Sequence, residues 1–360
     1  MTTEMCFQDI EKFCKSMPKL ELHAHLNGCI SNGILERVPV FDRSGKNAED
    51  NWISHENAVV QEKKTLDLAE CFRTFAKIHE VIRTPEILHW VTTQVIEEFW
   101  SDNVIYLELR TTPKKIHNIP SKDVYMEKVV DAIIECQKKF PIVVKLLVSI
   151  DRKLSVLEGE ENATLAIKWS KKFPNIVVGM DLSGDPSKGV FESFVPSLVR
   201  ARDSGLKLTL HLPEVANALE AEQMLDFRPH RVGHAVNIHP DLGGTQKLWE
   251  ILLTSRIPVE VCLSSNVLSK CVSSIDEHHI KYMQDSGIPF VICTDDSGVF
   301  CTTLTNEYQL AANTLLLSQD ELKVLTLKSI DYSFGSPEDK DMLTAMVRGW
   351  WENRNQEELL

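Results

Sequence analysis

Two histidines separated by one residue, His23 and His25, end the run Lys19–His25. On a β-strand, residues i and i+2 face the same side, so both imidazoles can converge on one metal ion. Paired surface histidines are the other reading, and an H-x-H alone does not decide between them. Three further apolar runs carry groups of the same kind: Leu208-Thr-Leu-His-Leu-Pro-Glu214, Arg231-Val-Gly-His234 and Ile292-Cys-Thr-Asp-Asp296. His23, His25, His211 and Asp295 would supply three nitrogens and one oxygen for zinc, one ion per chain, with a position left for water. An Asp-Asp pair after an apolar strand is expensive to bury without a cation or donors, which supports a metal. A solvated loop end is the alternative.

A zinc ion lowers the pKa of bound water towards ~7. Hydrolysis then needs a proton donor for the leaving side and a group that orients or deprotonates the water. Glu214 lies three residues beyond His211, close enough to serve as the acid without being a ligand. His234 and Asp296, the second member of the Asp pair, supply the rest.

These groups must be gathered by the chain's regular elements. Eight short β-rich runs recur: Lys19–His25, Val104–Thr112, Ile142–Asp151, Ile176–Ser183, Leu206–Leu212, Arg231–Val236, Pro258–Ser264 and Pro289–Asp295. Helical spacing lies between them at Val124–Lys139, Ala163–Lys172, Val190–Asp203, Leu242–Ser255 and Asp276–Asp285. The alternation reads as repeated βαβ units on a parallel sheet. Eight units match an α/β fold of the (β/α)8 TIM-barrel type, whose catalytic groups sit at the C-terminal strand ends. An open doubly wound sheet would show the same alternation, but the chain has neither G-x-G-x-x-G nor a phosphate-binding P-loop motif.

Two parts do not fit the repeat. Val38–Lys64 is polar and reads as a surface loop, and Leu66–Ser101 as two helices divided at Thr84-Pro85, where proline is tolerated at a helix start. Together, residues 38–101 form a helical insertion after strand 1 able to lid a barrel mouth. Phe72, Phe75, Ile78 and His79 recur there at helical spacing, a stripe that reads first as core packing and second as a cover for an aromatic ligand. Leu304–Trp351 is helical in character. No linker separates it, so the expectation is one domain over residues 1–360 with C-terminal helices packed on the barrel.

Composition narrows the partners. Lys and Arg number 39 against 52 Asp and Glu, a net charge of -13, which argues against a nucleic-acid polymer, since affinity for one comes largely from phosphate neutralisation. An anionic ligand therefore needs a local basic pocket. The longest apolar stretch, Phe140–Ile150, is interrupted by Lys145 and is far short of the ~20 residues of a membrane span. The acidic N-terminus does not read as a signal peptide. Nine cysteines without a C-x-x-C pair suit reduced thiols in a cytosolic protein. The expectation is a cytoplasmic monomer acting on a small molecule.

His23-Ala-His-Leu-Asn-Gly28, Met180-Asp-Leu-Ser-Gly-Asp185, His211-Leu-Pro-Glu214, Arg231-Val-Gly-His234 and Cys293-Thr-Asp-Asp296 together resemble the motif set of the adenosine/AMP deaminases, in order along nearly the whole chain. The resemblance implies a zinc-dependent barrel that replaces a purine 6-amino group by oxygen. It implies His23, His25, His211 and Asp295 as zinc ligands, Glu214 as the acid that protonates N1, and His234 as the group that orients and deprotonates the attacking water. His25 also borders the substrate. Asp296 matches a residue contacting N7 and the hydroxide. Gly184 matches one whose backbone N–H meets N3, or is a turn glycine before Asp185-Pro186.

Departures from the pattern point to a subgroup. Adenosine deaminases carry Asp at the position of Asn27, where a carboxylate would repel a 5′-phosphate by roughly 1–4 kcal/mol at ~4 Å. Glu108-Leu-Arg-Thr-Thr-Pro-Lys-Lys115 gathers donors at the same mouth. Arg110, helped by Thr111, Thr112 or Lys114, could hold a phosphate, or Arg110 could pair with a carboxylate such as Glu108 or Asp151. With Leu212-Pro213 and Ser297-Gly298 beside the motifs, the chain looks most like the adenosine deaminase-like subgroup. Its members convert N6-methyl-AMP to IMP and methylamine. Adenosine or AMP deamination is the alternative activity, and a zinc-bearing nucleotide-binding barrel the non-enzymatic one. A binuclear amidohydrolase would need a lysine at the end of the fourth strand, which reads Val178-Gly-Met-Asp-Leu-Ser183. A cytidine-type deaminase would need H-x-E, which is absent.

Overall fold

In a computed structural model that describes residues 7–41, 47–52, 78, 80–116, 118–212 and 214–357, eight strands form one parallel sheet. They are β1 (Lys19–His25), β4 (Val104–Thr111), β5 (Val143–Asp151), β6 (Val177–Ser183), β7 (Lys207–His211), β8 (Arg231–Gly233), β9 (Val259–Val261) and β10 (Phe290–Ile292). Each pairs with its sequence neighbour in that order. The last joins the first through a bridge between Ala24 and Asp295. There the His25 N–H donates to Asp295 O at 2.9 Å and the Asp295 N–H to His23 O at 2.8 Å. The eight strands expected from the sequence are all present, and this closure selects the barrel over the open sheet.

Outside the barrel run helices α3 (Pro85–Ser101), α4 (Lys122–Lys139), α5 (Val156–Lys172), α6 (Val195–Asp203), α7 (Ala218–Asp226), α8 (Gln246–Ser255), α9 (Leu263–Leu268) and α10 (Ile280–Asp285). The expected division at Thr84-Pro85 is a helix start: Pro85 opens α3 and the Thr84 hydroxyl accepts from Ile87 N–H at 3.2 Å. Three helices are shorter than their apolar periodicity suggests. Helical turns at Phe191–Ser193, Pro240–Leu242 and Ile275–Glu277 stand apart from the helices that follow. In the second case Gly243, at φ 87°, lies in the left-handed region and ends the turn.

The insertion after β1 holds the short helix α2 (Asn32–Leu35) and a two-stranded antiparallel pair, β2 (Pro39–Phe41) with β3 (Asn47–Trp52), before α3. The polar composition of 38–64 suggests only a loop, and β3, Asn-Ala-Glu-Asp-Asn-Trp, contains no β-branched residue to mark it as a strand. Phe72, Phe75 and His79 lie outside the described residues, while Ile78 is fully buried in the main core. Among the described residues, no helix is long and apolar enough to cross a membrane.

The C-terminal part is helical as expected, with α11 (Leu304–Leu315), α12 (Gln319–Tyr332) and α13 (Pro337–Glu357). These helices cover β1 and its neighbours: Leu20 and Leu22 pack with Ile330, Leu343 and Val347 in a second apolar cluster. The N-terminal helix α1 (Phe7–Ser16) is pinned to α13 by Phe13, whose ring meets Trp350 and Trp351 edge-on at 5.7 and 5.6 Å. Below it, the buried Lys19 ammonium donates to Cys14 O and Met17 O at 2.8 and 3.1 Å. Phe13→Ala should leave a cavity under both tryptophans and cost about 3–5 kcal/mol, read as a lower midpoint in denaturant. An unchanged midpoint would mean that α1 contributes little to the folded barrel.

Candidate active site

The inner face of the barrel is charged. Glu21, His23, Glu108, Arg110, Asp181, Arg231 and Glu260 are all fully buried, and strand alternation places polar groups inward while Leu20 and Leu22 face the helices. Near the C-terminal strand ends four ligand atoms converge. His25 Nε2 lies 3.3 Å from His23 Nε2 and 3.1 Å from His211 Nε2. Asp295 Oδ1 stands 3.2 Å from His23 Nε2 and 3.3 Å from His25 Nε2. Two ligands at about 2.0–2.1 Å from one ion, at a near-tetrahedral angle, stand roughly 3.3–3.4 Å apart. The spacing therefore fits a shared metal ion, and the structure brings together the four residues that the sequence singled out.

Behind the ligands stand carboxylates. His23 Nδ1 is 2.7 Å from Glu260 Oε2 and His211 Nδ1 is 2.9 Å from Asp181 Oδ1. Such partners take the Nδ1 proton and leave the Nε2 lone pair for a metal. Ser265 donates to the other oxygen of Asp295, Oδ2, at 2.6 Å. Burial, with the nearby cationic and imidazole groups, outweighs Asp295 and pushes His25 down to about 3, so its ring is neutral. Burial favours a neutral Asp295, but hydrogen bonding and charge from His23 hold that carboxyl well below the usual range.

Arg110 ties the two carboxylates together. Its Nη1 lies 3.3 Å from Asp181 Oδ1, and its Nη2 donates to Glu260 Oε2 at 2.9 Å and to Leu22 O at 2.7 Å. This corrects the reading of Arg110 as a phosphate contact. A fully buried guanidinium that donates to two carboxylates and a carbonyl is engaged by the barrel interior, although the residue borders the cavity. The pairing alternative was right in kind, but the partners are Asp181 and Glu260 rather than Glu108 or Asp151. Glu108 pairs instead with Arg231, which also donates to Glu260 Oε1 at 2.7 Å.

A cavity of about 500 Å³ opens above the ligand group. Glu214, His234, Asp296, Asn27, Gly184, Thr111 and Thr112 all border it. Burial and the Asp295 charge push Glu214 up to about 8, so it carries a proton at neutral pH. Burial holds His234 neutral. Its Nε2 is 4.0 Å from Asp295 Oδ2, and its Nδ1 is 3.0 Å from the Asn266 amide. His234 and Asp295 both have left-handed backbones, φ 60° and 64°, a conformation costly for residues with a Cβ and retained where the surroundings demand it. His279 secures that turn, its ring lying 2.7 Å from His234 O.

Asp296 Oδ1 and Asn27 Oδ1 are buried without a partner, which leaves both open to a ligand in the cavity. Burial and the adjacent Asp295 charge hold Asp296 well above the ordinary carboxylate range. Gly28 is required beside it, because a Cβ there would collide with the Asp296 carboxylate. Gly184 is at φ 98°, meeting its turn reading, and it too borders the cavity. The Thr111 hydroxyl is shared with Tyr125 at 2.7 Å.

On the β4–β5 side the lining carries four lysines, Lys114, Lys115, Lys122 and Lys153, interleaved with the carboxylates of Asp151, Glu158 and Glu161. Lys122 meets Glu161 at 3.0 Å and Lys153 meets Asp151 at 3.0 Å. Burial and then the charge of Lys153 push Lys114 down to about 8. The sequence reading missed Lys122 and Lys153, which lie in loops and a helix start outside any motif.

The chain's residues 18–350 match the family model described as adenosine deaminase. The chain belongs to the adenosine deaminase family. Among its relatives, a protein of Danio rerio named N6-methyl-AMP deaminase is 39% identical, over 97% of this chain and 98% of its own length. One of Homo sapiens with the same name is 39% identical over 92% of each. A solved structure of Arabidopsis ADAL complexed with IMP superposes with TM-score 0.83 at 38% identity, covering 94% of this chain and 98% of that one.

Within this family site, the test of Arg110 is metal retention. Arg110→Met should cost about 3–5 kcal/mol, since Asp181 and Glu260 are left buried and unpaired, and should weaken divalent-metal affinity about 10–100-fold. Thermal melts and competition with a chelator measure the two effects. Unchanged metal affinity would show that the carboxylates orient the histidines without the arginine.

Proposed function

We propose that this chain hydrolyses N6-methyl-AMP to IMP and methylamine, with one zinc ion held by His23, His25, His211 and Asp295. One observation carries the reading: a single cavity is bordered by a metal-ligating group with a neutral acid beside it, and by a lysine-rich wall on its β4–β5 side. The purine occupies the first part and the 5′-phosphate the second. The relatives named for this substrate support the choice.

When bound, zinc supplies a water of lowered pKa at neutral pH. The chain's own residues do the rest. Glu214, protonated below about 8, delivers its proton to purine N1, which makes C6 electrophilic. His234, neutral by burial, orients the attacking water and accepts its proton at Nε2. Asp296, held protonated, donates to N7, and the Gly184 N–H meets N3. His234 then returns its proton to N6 as the C6–N6 bond breaks and methylamine leaves. The remaining hydroxyl proton on C6 passes to the ionised Glu214, which leaves C6=O with N1 protonated and restores the acid.

With Arg110 withdrawn into the barrel, the phosphate falls to Lys114, with Thr111, Thr112 and the neighbouring lysines. Burial and then the Lys153 charge destabilise the Lys114 cation, with Asp151 opposing them, and an anion beside Lys114 would favour its charged form. Asn27 accommodates the nucleotide because its amide can donate where a carboxylate would repel. Pro213, beside Glu214 in sequence, lies outside the described residues.

Glu214→Gln should keep its zinc, by metal analysis, yet lose at least about 100-fold in kcat. In the parent, kcat should fall as pH rises through the Glu214 value, because only the protonated acid is competent. Near-normal turnover of the variant would sink the mechanism. Asn27→Asp should lower kcat/KM for N6-methyl-AMP while sparing N6-methyladenosine. A parallel loss on both substrates would refute the phosphate assignment.

A further inference from the structure

Glu214 is held by its main chain from one side, where the Asn237 side-chain amide donates to Glu214 O at 2.8 Å. Its carboxyl has a different neighbour. Cys271, in the segment following α9, points its Sγ at Glu214 Oε1 from 3.8 Å. The Ser269 hydroxyl donates to that sulfur at 3.2 Å and belongs to the cavity lining. Among the described residues, Cys271 is the one side chain within hydrogen-bonding reach of the Glu214 carboxyl.

We propose that Cys271 is a positioning residue for the acid: its S–H donates to Glu214 Oε1 and thereby assigns the transferable proton to Oε2. The inference rests on the acid role given above to Glu214. A neutral carboxyl has one O–H and one carbonyl oxygen, and it can present either to the substrate by rotating half a turn. A donor fixed on Oε1 claims that oxygen as the acceptor, so the O–H points away from the sulfur. Ser269 completes the chain by donating to the sulfur, which leaves the S–H directed at Glu214. Burial and the neighbouring Glu214 push the Cys271 thiol up to about 12, so it remains a donor and does not become a competing anion.

No bond forms or breaks at sulfur, and the effect is confined to turnover. A thiol is a weak donor, so the expected loss is modest, corresponding to one net hydrogen bond. Two variants separate hydrogen bonding from packing. Cys271→Val fills about the same space and donates nothing, whereas Cys271→Ser is smaller and keeps a donor.

On N6-methyl-AMP, Cys271→Val should lose roughly three- to tenfold in kcat with little change in KM, and with zinc content as in the parent. Cys271→Ser should stay within about twofold of the parent, the Glu214 side chain closing the shorter reach. In the Glu214→Gln background, Cys271→Val should cause no further loss, because the proton it positions is gone. Parental kcat in Cys271→Val, or an equal loss in Cys271→Ser, would overturn the proposal. So would a further loss in the Glu214→Gln background. If Glu214→Gln itself turns over normally, the acid role fails first. If Glu214→Gln is inactive while Cys271→Val is normal, only the positioning role of Cys271 falls.

Discussion

The site depends on one buried guanidinium. Arg110 lies between Asp181 and Glu260, and each of these carboxylates holds the Nδ1 of a histidine from another strand. Removing three charges from water costs several kcal/mol per ion, and only close pairing with full hydrogen bonding repays it. That cost favours a narrow range of geometry. Once it is met, His23 and His211 present their Nε2 lone pairs towards the same point, and His25 needs only the alternation of β1 to join them. Arg231 extends the network from Glu260 to Glu108, and its guanidinium sits 3.6 Å from the Phe334 ring centroid. Through that contact and the Tyr332 carbonyl, the C-terminal end of α12 and Phe334, two residues beyond it, reach the floor of the barrel. The C-terminal helices therefore belong to the support of the site as well as to the outer shell.

Above this floor, different segments divide the work. The strand ends carry His23, His25 and His211, whose spacing with Asp295 fits a metal ion, and the segments just beyond them carry Asp295, Glu214, His234 and Asp296. Two positions, His234 and Asp295, accept left-handed backbone, and both are tied down by hydrogen bonds from adjoining segments. The β4–β5 side contributes lysine side chains, of which Lys122 and Lys153 are held by Glu161 and Asp151.

Much of this was legible in the residues. The eight strands, the helix start at Thr84-Pro85 and the convergence of His23, His25, His211 and Asp295 all follow from periodicity and strand-end chemistry. The network beneath them also left a trace: Glu21, Arg110, Asp181, Thr209 and Glu260 occur inside otherwise apolar strand runs, and three of them stand two residues before a strand-end polar group. Period-two spacing places such residues on the inner face with the ligands. Reading Arg110 as a phosphate contact overlooked that an inward-facing charge in a closed barrel meets the carboxylates of other strands, here Asp181 and Glu260. The pair formed by β2 and β3 was not legible, because its polar residues lack the apolar alternation by which strands are recognised.

The sequence by itself determined which groups are available, and through alternation which strand residues face inward: a set able to hold a metal, with a glutamate, a histidine and a basic stretch just beyond the strand ends. Only the tertiary structure decided how the charges pair. Ion pairing in a barrel is set by which strands become neighbours and by the register across the closing seam, so Arg110 meets Asp181 and Glu260, which lie 71 and 150 residues away. It likewise decided that Glu214 is buried enough to keep its proton and that Cys271 stands beside it. Burial and long-range proximity are properties of the closed barrel, which no local stretch of sequence contains.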